Sequence, residues 1–125
     1  DLDSDGDLDI VLVANGGVPR ILRNEQQLGH HWVRLKLQGA ASSNRDALGA
    51  LVKLTSGKTT QRRYVTATRS YLSQCELALT FGLGSATTVD GLEIRWPNGQ
   101  VQTVKDLKVD QLQVIEQSMQ PLSEQ

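Results

Sequence analysis

Apolar residues in this chain alternate with polar ones far more often than they recur at helical spacing. In "HWVRLKLQG" the residues Val33, Leu35 and Leu37 alternate with Arg34, Lys36 and Gln38. This period of two marks a strand with one face in a core and the other in water. Leu77, Leu79 and Phe81 repeat the pattern in "CELALTFGLG", and Leu92, Ile94 and Trp96 repeat it around Glu93 and Arg95. The last run breaks at "PNG", whose turn chemistry predicts a hairpin to "QVQTV". A second hairpin is predicted in "GALVKLTSGKTTQRRYVTA", with Ser56 and Gly57 between its strands, and "DQLQVIEQ" reads as a closing strand. Helix signals are poor. Only "SNRDALGA", with Ser43 or Asn44 as a cap and Gly49 as a stop, supports a turn or two. Short strands separated by turns about every ten residues predict an all-β protein, an antiparallel sandwich or barrel.

Composition narrows the picture. At 125 residues the chain has the size of one domain with a real core, and its aromatic fraction of 4 % leaves that core to Leu, Val, Ile and Ala. Trp32, Trp96, Tyr64, Tyr71 and Phe81 are the aromatic anchors, and both tryptophans are expected to be buried on strands. No apolar run is long enough to span a bilayer, and a formal net charge of -1 leaves no basic stripe for nucleic acid. The single cysteine, Cys75, excludes an internal disulfide; it is expected to be a small buried or half-buried strand residue.

Charge is concentrated at the start, where "DLDSDGDLDI" carries Asp1, Asp3, Asp5, Asp7 and Asp9 around Gly6. Five carboxylates this close repel one another unless a hard cation sits among them, and calcium with oxygen ligands fits best. The glycine permits the sharp bend that such a loop needs. An EF-hand is rejected, because its twelfth position would be Leu12 and "DIVLVAN" reads as a strand where a helix is required. What remains is a calcium loop feeding a strand, with Asp9 as its last carboxylate and the Asp7 carbonyl as a further ligand.

"DLDSDGDLDIVLVANGG" resembles the calcium-binding repeat of integrin-type (FG-GAP or VCBS) β-propellers. The stretches "HHWVRLKLQG", "SSNRDALGALVKL", "QRRYV", "SYLSQ", "LTFGLGSATTVDGLEIRWPNG" and "QTV", in that order, resemble the ASPIC/UnbV domain that commonly follows such repeats, as in cartilage acidic protein-like secreted proteins. The resemblance implies calcium ligation by Asp1, Asp3, Asp5, Asp7 and Asp9, and an upstream propeller in a longer protein. It also implies an extracellular location, secreted or at the cell surface. Cys75 departs from the small polar residue expected in "YLSQ", which leaves a disulfide to another chain open. The expected organisation is a partial calcium-binding repeat at 1–24, a linker at 25–29, a β-sandwich at 30–117 and a polar tail at 118–125. That the chain opens on Asp1, inside the motif, is expected of a piece of something longer.

Other motifs reduce to turns. "SGKTT" lacks the earlier glycine of a phosphate loop, since Val52 stands there, and "GLGSAT" lacks the third glycine of a dinucleotide fingerprint. His30 and His31 point to opposite sides of an extended chain and cannot share one ion. No nucleophile elbow is present, so no enzymatic activity is expected. "SSNRDALG" reads as Asn44 and Asp46 capping local backbone while Arg45 pairs with a carboxylate. The functional expectation is a calcium-binding structural, adhesive or protein-interaction module with a protein or glycan partner at the cell surface or in the matrix. Two alternatives stand beside it: a carbohydrate-binding accessory domain of a larger enzyme, and a self-assembling β fibre subunit.

Overall fold

The computed structural model describes residues 1–41 and 43–119, and residues 120–125 of the expected tail lie outside it. Among the described residues there are eleven strands and no helix. Strands β1 (Ile10–Leu12) and β2 (Arg20–Leu22) form an antiparallel ribbon. Next come β3 (His31–Gln38), β4 (Leu51–Ser56), β5 (Thr59–Tyr64), β6 (Thr68–Ser70), β7 (Ser73–Gln74), β8 (Leu79–Gly84), β9 (Gly91–Arg95), β10 (Val101–Val104) and β11 (Leu112–Glu116). One sheet has the order β10-β9-β4-β5 and a second has β11-β3-β8, while β6 and β7 pair separately.

The two larger sheets share one core. Val33, Leu35 and Leu37 from β3 and Leu79 and Phe81 from β8 meet Val52 and Leu54 from β4, Leu92 and Ile94 from β9, and Trp96. These are the alternating positions of the sequence pattern, so period-two burial sets which face of each strand turns inward. The result is a sandwich-like all-β fold. One pairing departs from the expected antiparallel arrangement: β11 runs parallel to β3, with Leu112 opposite Arg34 and Glu116 opposite Gln38.

Polar side chains close both seams of the sandwich. On the β5 side, Arg63 stacks 5.5 Å over the Phe81 ring and Gln61 Nε2 donates to the Gly82 carbonyl at 2.7 Å. On the β10 side, buried Gln117 accepts from Ala40 N at 3.0 Å and donates to Gln100 Oε1 at 2.8 Å. Trp96, also buried, finds its partner in Gln102 Oε1 at 2.9 Å. Buried polar groups that are hydrogen-bonded in this way add specificity without the desolvation cost of orphans.

Three local expectations change. The β4–β5 turn is Gly57-Lys58, with Gly57 at φ 57, and Ser56 is the last residue of β4. "SNRDALGA" is a set of turns in which Asn44 brackets Leu48, donating to its carbonyl at 2.9 Å and accepting from its N–H at 2.7 Å. Local side-chain bonds of this kind compete with helix formation, and Arg45 pairs with Asp46 at 3.1 Å. Trp32 is half-buried on the outer face, because it alternates with Val33 and therefore points away from the core that Val33 enters.

Candidate metal centre

The aspartate loop curls because two of its residues adopt left-handed backbone. Ser4 has φ 64 and Gly6 has φ 97, the second being a conformation that glycine reaches without steric cost. Asp5 Oδ1 accepts the Asp7 N–H at 2.9 Å, tightening the bend. Asp9 braces the base: its two oxygens accept Leu2 N and Asn24 N, each at 2.8 Å. These backbone donors, Asn24 first and Leu2 second, hold its carboxyl below the usual value of 3.8.

The curl brings Asp1, Asp3 and Asp5 together, with one carboxylate oxygen from each lying within 4.8 Å of the others. Oxygens sharing one calcium at about 2.4 Å are at most about 4.8 Å apart, so the spacing suits a common ion. The side chains of Asp7 and Asp9 are turned to structural bonds. Asp7 Oδ1 accepts from Gln26 Nε2 at 2.6 Å, and Asp9 is held as just described.

Two arginines that the sequence pattern did not mark enter the site. Arg23 Nη2 lies 2.6 Å from Asp3 Oδ2, in a largely exposed pair. Arg34 comes from the outer face of β3; its Nη1 is 2.6 Å from Asp1 Oδ2, while its Nη2 pairs with Glu76. The Asp1 side chain is only 3 % exposed, and its Oδ1 has no hydrogen-bond partner. The Arg34 guanidinium balances the charge of this carboxylate through Oδ2, but a buried Oδ1 without a donor stays costly until it gains a partner of its own. All-oxygen donors, converging geometry and this orphaned atom together fit a hard divalent cation. When bound, calcium would supply positive charge to these carboxylates and hold the curl closed.

The loop lies against the sandwich. Gly6 sits so close over the Trp32 indole that a Cβ added to it would lie 2.3 Å from the ring. Between loop and sandwich is a half-open cleft of about 540 Å³, lined among others by Asp5, Asp7, Gln26, Trp32, Arg63 and Thr80.

The remaining chemical candidates settle into other roles. His31 Nδ1 lies 2.6 Å from Asp110 Oδ2, across the β3–β11 junction. Cys75, expected to be buried or half-buried on a strand, is an exposed free thiol just beyond β7. Every residue of β6 and β7 is exposed, and the two strands pair only with each other, so the thiol that follows them has no core to enter.

Among curated proteins none matches the chain. A family model described as ASPIC and UnbV matches residues 40–121. The matched stretch carries β4 to β11, and β3 lies just before it as the strand on which both β8 and β11 pair. With that match covering most of its length, the chain belongs to the ASPIC and UnbV family.

Proposed function

We propose that this chain is a calcium-stabilised, extracellular interaction module of structural or adhesive type. In this reading residues 1–24 are the end of an FG-GAP/VCBS-type repeat, residues 25–29 link it to the sandwich at 30–117, and Asp1, Asp3 and Asp5 are the principal calcium ligands. Asp9 and Asp7 hold the loop in shape through their side chains, and the Asp7 carbonyl is a further ligand. The observation that carries the reading is the convergence of one carboxylate oxygen each from Asp1, Asp3 and Asp5, in a site where Asp1 also keeps a buried oxygen, Oδ1, without a hydrogen-bond partner. Extracellular modules work with weak calcium sites because the ion is plentiful there, and binding to the folded state alone stabilises it by mass action.

The β1–β2 ribbon supports membership of a larger β unit. Ile10 and Leu22 face one side and Val11 and Ile21 the other, and all four are exposed. A ribbon apolar on both faces is the pattern of strands covered on both sides. The partner of the sandwich is a protein or glycan met at the cell surface or in the matrix, and the module binds without catalysing.

Calcium titration with thermal melting tests the reading. The melting temperature is expected to rise by several degrees at millimolar calcium, and the rise is expected to vanish in Asp3→Asn/Asp5→Asn. No shift in the wild-type protein would overturn it. The cleft beside the loop favours a second reading, a carbohydrate-binding accessory domain, since Asp5, Gln26, Trp32 and Thr80 offer polar groups and an aromatic ring to a sugar. A glycan array read with quenching of Trp32 fluorescence separates the two.

A further inference from the structure

We infer that Arg34 is a positioning residue for the cation site, through which cation binding at the aspartate loop is coupled to the sandwich; the inference rests on the calcium reading above. The two arginines at the loop are alike in charge and contact distance but differ in what they are attached to. Arg23 follows β2, belongs to the same local segment as the loop, and its side chain is 58 % exposed. Arg34 stands in the middle of β3, the strand that carries Val33 and Leu35 into the core, and its side chain is 14 % exposed.

Geometry defines what Arg34 does. One nitrogen of its guanidinium holds Asp1 Oδ2 and another holds Glu76, so the planar fork is fixed at both ends. Asp1 is thereby immobilised with its other oxygen, Oδ1, buried and partnerless, while a carboxylate oxygen of Asp1 stays within 4.8 Å of those of Asp3 and Asp5. A metal ligand held by an outer partner loses less freedom on binding, and removing such partners typically weakens metal affinity about 10–100-fold. Gly6 on Trp32, two residues before Arg34 on the same strand, supplies the second contact that presses the loop to this face. The ligand set is therefore complete only when the loop is docked on β3, and by linkage a bound cation favours the docked state to the same extent.

This role has a sign that simple electrostatics does not. Deleting a positive charge beside a cation site should tighten cation binding if charge alone mattered. Deleting a residue that positions a ligand should weaken it.

The test is isothermal titration of the folded chain with calcium chloride, alongside thermal melts with calcium and with chelator. Arg34→Gln is expected to bind calcium about tenfold more weakly than wild type. Arg34→Lys keeps the charge but not the fork, and is expected to bind about threefold more weakly. Arg23→Gln, the electrostatic control, is expected to bind equally or more tightly. At a given calcium concentration the rise in melting temperature is expected to be smaller in Arg34→Gln than in wild type, and to reach the wild-type value only at about tenfold higher calcium. Unchanged or tighter binding by Arg34→Gln, or wild-type affinity in Arg34→Lys, would overturn the coupling while leaving the calcium reading intact. Absence of calcium binding by the wild-type chain overturns that reading, and the coupling with it.

Discussion

Gly6 lies directly on the indole of Trp32, so close that a Cβ at this position would stand 2.3 Å from ring atoms Cε2 and Nε1 and 2.5 Å from Cδ1. The glycine is required twice, by that approach and by its φ of 97. Gly6→Ala is therefore expected to lift the loop from β3. The backbone strain alone amounts to about 1–3 kcal/mol, and the contact with the ring adds to it. The measurement is acrylamide quenching of tryptophan fluorescence. Trp96 is buried, so increased quenching reports Trp32. Unchanged quenching in Gly6→Ala would show that the loop does not rest on this ring.

The core was readable because alternation is a local property. Val33, Leu35 and Leu37 each sit where a period of two places them, and the "PNG" turn marks the β9–β10 hairpin in a few adjacent residues. The same period, applied to Trp32, puts it opposite Val33; burial is expected of it only if it is placed in phase with the apolar neighbours, whereas it shares the phase of Arg34 and Lys36. What alternation cannot reveal is which element covers an outer face. The contacts of Arg34 with Asp1 and of His31 with Asp110 join residues 33 and 79 positions apart. The parallel β11–β3 pairing is equally remote in sequence. The aspartate spacing predicts a tight turn of carboxylates around Gly6, but not the division by which Asp1, Asp3 and Asp5 converge while Asp9 serves backbone amides.

Burial separates costly from neutral changes in the two facing sheets. Leu54 is fully buried on β4, whereas Val114 on β11 is 51 % exposed. Leu54→Ala is expected to destabilise by about 2–5 kcal/mol, through lost transfer energy and the cavity left behind. Val114→Ala is expected to stay within about 0.5 kcal/mol. Urea unfolding of both variants gives the comparison, and similar midpoints would contradict a core shared between the sheets.

Asp110 stitches the start of β11 to β3. Its Oδ2 meets His31 Nδ1 at 2.6 Å, its Oδ1 accepts Trp32 N at 3.1 Å, and its own N–H donates to the Trp32 carbonyl at 2.6 Å. The His31 hydrogen bond, and after it the Trp32 amide, lower the Asp110 pKa from 3.8, against an opposing effect of burial. A carboxyl with a folded pKa below its unfolded value contributes stability that is fully present above the unfolded value and is lost as pH falls through the folded one. Asp110→Asn is therefore expected to be less stable than wild type at pH 5 by about 1 kcal/mol, a charged hydrogen bond discounted for partial exposure. The gap is expected to close as the pH falls below 3.8. Melts of both proteins between pH 5 and pH 2 measure this directly, and a gap that persists at the acid end would assign the cost of the variant to shape instead of charge.

The β1–β2 ribbon bears on how the chain behaves in solution. Val11 and Ile21 are cross-strand partners, both exposed, and Ile10 and Leu22 are paired on the other face. An uncovered two-stranded ribbon also has free backbone edges, which invite strand-to-strand pairing with another copy. The chain is therefore expected to self-associate as its concentration rises. In Val11→Thr/Ile21→Thr this tendency is expected to fall while the strands persist, because threonine keeps the branched shape that strands favour and adds a hydroxyl for water. Sedimentation velocity across a concentration series, with the sandwich monitored by Trp96 fluorescence, checks it. If the double variant associates as strongly as the wild type, the contact lies elsewhere, and the exposed β6–β7 hairpin with Tyr71 and Leu72 at its tip is the next surface to change.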